Sequence, residues 1–167
     1  MEEKKKMLKP LVISFQRNAD EYGWLGNMSP YPVKYEGKIW NTTEALFQGL
    51  RFNSEEIREI IRSEPSPMGA KMKTKKYRDS MEVEPRTEGD VENMKLCIKL
   101  KLEQHNSLKT KLLNTGTKRI YEDIGKRKGE KHLFWGSKNI NGEWVGNNML
   151  GKIWMEMREK LKNNELL

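Results

Sequence analysis

Residues 40–52, WNTTEALFQGLRF, constrain the fold more than any other stretch of the chain. They read as the end of a short strand turning into a helix. Asn41 is a suitable N-cap, and Glu44 stands three residues later, where a capping-box carboxylate reaches back. Glu44, Gln48 and Arg51 then fall at i, i+4 and i+7 and share one helix face. The remaining surface is mostly apolar: Ala45, Leu46, Phe47, Leu50 and Phe52. A helix that apolar has to be covered by other elements, which leaves its polar stripe narrow. Two readings of the stripe stand side by side. Either Glu44 only caps the helix and the stripe faces water, or a carboxylate, an amide and a guanidinium form the floor of a polar pocket.

The rest of the chain supplies the covering elements. Residues 11–15 (LVISF) read as a buried strand, and 18–32 as a long loop carrying Tyr22, Trp24 and Asn27. Its aromatics either stack on a ligand ring or plug a core edge. Residues 33–40 alternate loosely around Gly37, as a strand or hairpin arm does, and put Lys34 on the face opposite Val33 and Tyr35. An exposed strand lysine is the default for Lys34. Ser54 caps a predicted helix through Ser63 with Ile57, Ile60 and Ile61 inward. Pro67 suits the first turn of another, reaching about Arg78. That segment carries Lys71, Lys73, Lys75, Lys76 and Arg78, either a phosphate-facing patch or a solvated face. The longest predicted helix runs from about Asp90 to His105, and a short one capped by Ser107 ends near Gly116. Arg119 to Ile124 suits a strand, 133–136 is a short apolar run, and Asn141-Gly142 signals a tight turn. A final helix follows Asn147 and Asn148, with Leu150, Ile153, Met157 and Leu161 inward.

Composition narrows the class. A chain of 167 residues, 35% hydrophobic and 34% charged, is long enough for one domain with a proper core. Its net charge of +8 and pI near 9.5 favour an anionic partner: a phosphate ester, a dinucleotide or nucleic acid. A solvated basic surface is the plain alternative. Cys97 is the single cysteine, so no disulfide forms within the chain and a reducing, cytoplasmic setting fits. Cys97 sits in an apolar helical pattern and is expected in the core. His105 and His132 show no metal-ligand spacing, and no stretch is long enough to span a membrane.

Several of these pieces, in this order, resemble the NADAR family, and within it the YbiA-like N-glycosidases of riboflavin intermediates. Residues 22–52, YGWLGNMSPYPVKYEGKIWNTTEALFQGLRF, are similar to that family's YG…SNF…DGK-x-W…E-H…Q…KF segment. Ser66-Pro67-Met68 with Ala70-Lys71 resembles SPM…A-(K/R), and residues 101–105 resemble the KFEQH helix end. Residues 112–116 resemble LL-x-TG. Trp135-Gly136 and residues 146–151 resemble WG…GKN-x-LG. The likeness runs from about Phe15 to Arg158. Each motif is weak alone; their order and spacing are specific together.

The resemblance implies cleavage of an N-glycosidic bond at ribose C1. Phosphorylated ribosylamino-pyrimidines are one substrate class, and ADP-ribosylated guanine in nucleic acid another. It places the family's glutamate on Glu44, its glutamine on Gln48, and the SNF asparagine on Asn27. The WG tryptophan and glycine fall on Trp135 and Gly136, and the GKN asparagine on Asn147. Glu44 is the expected catalytic carboxylate. Lys34 is the expected imine-forming lysine, with Lys71 as the other candidate. Trp135, with Tyr22 or Trp24, is expected to stack on the base, and Arg51, Lys71 and Arg78 to hold phosphate. No metal or redox cofactor is implied. Four positions depart from the pattern: Met28 replaces the SNF phenylalanine, Ala45 the histidine after the glutamate, Arg86 a loop tryptophan, and His132 an aspartate. The expected fold is a single helix-rich α+β domain over 11–162, with a small sheet formed by the N-terminal and Trp135 regions. A basic tail is expected at 1–10 and a short one at 163–167. The rivals to an enzyme are a non-catalytic NAD or ADP-ribose-binding module and, on charge alone, a nucleic-acid-binding protein.

Overall fold

The computed structural model describes residues 12–166, so the basic tail expected at 1–10 lies outside the described residues. Strand β1 (Val12–Phe15) pairs in parallel with β4 (Arg119–Glu122), Ile13 opposite Ile120 and Phe15 opposite Glu122. Between these two strands the chain builds most of its helices. A 3-10 turn at Gly23–Leu25 leads to a hairpin of β2 (Val33–Tyr35) and β3 (Lys38–Trp40). Its turn residues Glu36 and Gly37 have φ of 49° and 80°, the left-handed pair that suits a two-residue hairpin. Helices α1 (Thr43–Gly49), α2 (Glu55–Arg62) and α3 (Pro67–Lys73) follow, then α4 (Glu88–Gln104) and α5 (Asn106–Asn114). After β4 come α6 (Glu130–Trp135), the β5–β6 hairpin (Lys138–Ile140, Glu143–Val145) and α7 (Met149–Lys162).

The helix-rich α+β domain expected from the sequence is the one observed, with three two-stranded sheets among the described residues in place of one. Two local expectations shift. Residues 133–136 end a short helix, so Trp135 faces its surroundings from α6 and not from a strand. Helix α5 begins at Asn106 with His105 in the capping position and no side-chain cap, so Ser107 lies inside it. The segment beyond α7 folds back far enough to bury Leu166 against the core.

Helix α4 is the spine, packed against α1, β2, α5 and α7. Its inward residues Met94, Cys97, Ile98 and Leu102 join Leu25, Leu46, Phe52 and Trp154 in one core. Burying each large apolar side chain contributes roughly 1.5–3 kcal/mol. Cys97 is a core thiol, its pKa pushed well up by burial and secondarily by Glu44. Trp24 meets Trp154 edge to face at 5.7 Å, and the Trp154 indole N–H donates to the Leu25 carbonyl at 3.0 Å. These contacts hold the 18–32 loop down on α7. No described helix is long and apolar enough to cross a membrane.

Candidate active site

Helix α1 is buried along its whole length, and its cap lies one residue later than the sequence suggests. Thr42 holds the N-cap position, its hydroxyl accepting the Ala45 N–H at 3.1 Å. Glu44 is therefore released from capping. Its Oε1 accepts from Gln48 Nε2 at 2.8 Å, and the Gln48 Oε1 accepts from Arg51 Nη1 at 3.2 Å. Arg51 in turn grips Asp90 with two bonds, Nε to Oδ1 at 2.9 Å and Nη2 to Oδ2 at 2.8 Å. The polar stripe is thus a fixed chain from Asp90 through Arg51 and Gln48 to Glu44, at most 9% exposed at any member. It does not face bulk water. Asn27 closes the other side of Glu44: its carbonyl accepts the Glu44 N–H at 3.1 Å, and its Oδ1 accepts the Thr43 hydroxyl at 3.0 Å.

Glu44 and Gln48 open into a cleft of about 480 Å³ between α1, α3, the 15–18 and 26–28 segments, and the end of β4 with α6. Trp135 forms one wall, braced edge to face by Phe47 at 5.4 Å and Phe134 at 5.0 Å. Arg17, Lys71, Lys75, Arg86, Arg127 and Lys131 line the cleft, and among the described residues none of the six forms an ion pair. Such a concentration of one sign in a concave surface draws anions in. His132 also lines it. Its pKa is lowered by burial and by the positive charges of Arg127, Lys71 and Lys131, which favours a neutral ring.

A second carboxyl enters from β4. Glu122 lines the same cleft, and its pKa is raised to about 7, chiefly by burial. Arg127 and Lys71 pull in the opposite direction, while the Glu44 charge adds to the rise. Sequence reasoning does not single out Glu122. A signal was available: Ile120 and Glu122 share one face of a strand, Ile124 continues that spacing just beyond its end, and both isoleucines are buried. An acid at that register has to sit at the edge of the core.

The structure brings Glu44, Asn27, Gln48, Arg51, Lys71 and Trp135 together around one cleft. Lys34 is elsewhere. It is exposed on β2, and Gln104 covers its backbone, accepting its N–H at 2.7 Å and donating to its carbonyl at 2.8 Å. Tyr22 packs against the core outside the cleft, as does the buried Trp24. Arg51 is committed to Asp90 and Gln48, so its part is to orient Gln48. Arg78 pairs with Glu84 at 2.7 Å away from the cleft. Asn147 lines a shallower depression of about 420 Å³ with Arg86, Glu130, Leu133, Phe134 and Gly146. Arg86 borders both hollows; its left-handed backbone, φ 63°, is held by an N–H bond to Asp90 Oδ2 at 2.8 Å. Gly136 is buried directly behind the Glu122 carboxyl.

Comparison with known proteins gives the chain's family. The NADAR domain family matches residues 14–162. The chain is 34% identical to N-glycosidase YbiA of Escherichia coli (strain K12), with 93% of this chain and 91% of that protein covered. It is 32% identical to N-glycosidase YbiA of Shigella boydii serotype 4 (strain Sb227) over the same shares of each. A riboflavin biosynthesis protein of Vibrio vulnificus (strain YJ016) is 27% identical over 91% of this chain, which spans 39% of that longer protein. The NMR structure of E. coli YbiA superposes with a TM-score of 0.74 at 32% identity, covering 95% of this chain and 89% of that one. With a family match over most of its length and relatives above 30% identity along nearly all of it, the chain belongs to the NADAR family.

Proposed function

We propose that the protein hydrolyses the bond between ribose C1 and a nitrogen in a phosphorylated ribosyl substrate, with Glu44 as the catalytic carboxylate. The observation that carries this reading is the anchoring of Glu44 at the wall of a cationic cleft by Gln48, Arg51 and Asp90. Breaking a C1–N bond builds positive charge on the sugar. A carboxylate held beside C1 stabilises that charge and takes a proton from the attacking water. Pre-orientation by a buried hydrogen-bond chain removes the cost of arranging it during the reaction. The Trp135 ring offers a stacking surface for the base, and Lys71, Arg127 and Lys131 offer donors for phosphate. Two substrate classes fit these features: a phosphorylated ribosylamino-pyrimidine, as in riboflavin synthesis, and ADP-ribose attached to guanine. The bordering position of Arg86 between the two hollows favours room for the larger one. For an imine-forming lysine we favour Lys71, which lines the cleft, over Lys34, which does not.

The test is release of product followed by chromatography and mass spectrometry. Wild type and Glu44→Gln are offered a phosphorylated ribosylamino-pyrimidine and, separately, guanine-ADP-ribosylated DNA. Turnover of either by the wild type, falling at least about 100-fold in Glu44→Gln, supports the reading and selects the substrate. Binding of ADP-ribose with no turnover of either replaces it with a non-catalytic binding module, a role that His132 and Arg86 would fit as departures from the family pattern.

A further inference from the structure

Glu44 accounts for the water and the sugar but leaves the departing nitrogen without a proton. An amino-pyrimidine leaves the sugar poorly as a nitrogen anion, so an acid is needed on the leaving-group side. We propose that Glu122 is this acid, giving its proton to the departing nitrogen while Glu44 receives one from water; the assignment rests on the N-glycosidase reading above.

Four observations place Glu122 for the task. It shares the cleft with Glu44 but comes from a different element, the end of β4, so the two carboxyls approach from separate supports. Its backbone is fixed at both ends. The N–H donates to Asn148 Oδ1 at 3.0 Å, and the carbonyl accepts from the Ser137 N–H at 2.7 Å and hydroxyl at 2.8 Å. Room for its carboxyl is made by Gly136, where a Cβ would come within 2.9 Å of Glu122 Oε1. Lastly, among the described residues no side chain donates a hydrogen bond to that carboxyl, whereas Glu44 is held by Gln48. The groups facing Glu122 are Glu44 from α1, Lys71 from α3, Arg127 from the loop after β4, and His132 and Lys131 from α6. Burial and Glu44 outweigh the nearby cations, so the carboxyl keeps its proton up to about pH 7. Neutral His132 is a weaker donor in the same place. A protonated carboxyl on one side of the cleft and a hydrogen-bond-anchored carboxylate on the other offer an acid and a base to one substrate.

The step balances. The C1–N bond breaks with its electron pair on nitrogen, which takes the Glu122 proton. Water oxygen bonds to C1 and passes a proton to Glu44. The two carboxyls return to their starting states by proton exchange through solvent.

The test compares two leaving groups across pH 5.5–9: the amine-leaving substrate found active above, and 4-nitrophenyl riboside 5-phosphate, whose phenolate departs without a proton. Wild type is expected to lose kcat/KM on the amine substrate above about pH 7. Glu122→Gln is expected to fall at least about 100-fold on it at pH 6.5 and to lose the alkaline limb. On the nitrophenyl substrate it is expected to stay within about threefold, while Glu44→Gln fails on both. Should Glu122→Gln not fold, Glu122→Asp is read the same way, with a loss confined to the amine substrate. Equal losses on the two substrates, or an unimpaired Glu122→Gln, overturn the assignment and leave the role of Glu44 standing. A wild type that turns over neither natural substrate class overturns both.

Discussion

Lys101 is fully buried and, among the described residues, forms no ion pair. Its Nζ donates to the Gly26 carbonyl at 3.0 Å and the Ser29 hydroxyl at 2.9 Å, and it lies 5.1 Å from the Tyr31 ring centroid. The lysine therefore pins the loop that carries Asn27 into the cleft. Burial lowers its pKa to about 7. Between pH 7 and the ordinary lysine value the unfolded chain holds a proton that the folded chain has released, so this group makes stability rise with pH across that window. Below pH 7 the cost of burying the charge is present in full. Lys101→Met removes the titration. Urea unfolding at pH 7 and 9 should show the wild type gaining on the order of 2 kcal/mol relative to the variant. Equal pH responses would mean that the amine keeps its ordinary pKa. Asp90 matters for a different reason: it neutralises Arg51 and also fixes the Arg86 backbone. Asp90→Ala leaves a buried guanidinium without its partner. It should cost about 3–5 kcal/mol in urea unfolding, and turnover should fall even where the variant remains folded, because Gln48 and Glu44 lose their anchor.

At the scale of elements, α7 and β4 form the support for the Glu122 side of the cleft. Asn148 holds the N-cap position of α7 with φ 51°, but its side chain makes no capping bond. Its side chain instead spans β4, accepting the Glu122 N–H and donating to the Ile120 carbonyl at 2.8 Å. This close approach is possible because Gly151 faces the strand: a Cβ there would collide with the Ile120 carbonyl and the Asn148 side chain. Glycine in a helix ordinarily costs about 1 kcal/mol against alanine. Here Gly151→Ala is expected to reverse that sign and destabilise by about 1–3 kcal/mol, measured by urea unfolding. An unchanged or higher midpoint would show that α7 can move off β4 without cost. The same logic explains Gly49 of α1, whose missing Cβ is the space filled by the Trp40 ring.

Across the whole molecule, the positive excess is not spread evenly. The cations of α2 are paired with neighbouring acids, as in Arg62–Glu59. The cations around the cleft are not. Attraction of a phosphorylated substrate should therefore be screened by salt. Raising ionic strength from roughly 0.05 to 0.5 M shortens the Debye length from about 14 to about 4 Å. KM for the phosphorylated substrate should rise severalfold, with kcat little changed. A KM that ignores salt would place phosphate recognition away from these side chains.

What could be read from the chain alone was whatever depends on local chemistry and order. The apolar surface of α1 required burial, and Ser54, Pro67 and Asn141-Gly142 marked starts and a turn found close to where they were expected. The NADAR likeness followed from motif order. Packing decided the remainder. Only the tertiary structure determines that Thr42 caps α1, which frees Glu44 for Gln48, because both residues can serve as caps and the entry path of the chain selects between them. Only Asp90, 39 residues away, turns Arg51 from a phosphate ligand into a strut. Lys34 lies outside the cleft, on a strand whose backbone Gln104 covers, and Glu122 is admitted by the parallel pairing of β1 with a strand more than 100 residues later. Such contacts join residues far apart in sequence, and no local pattern encodes which of them will meet.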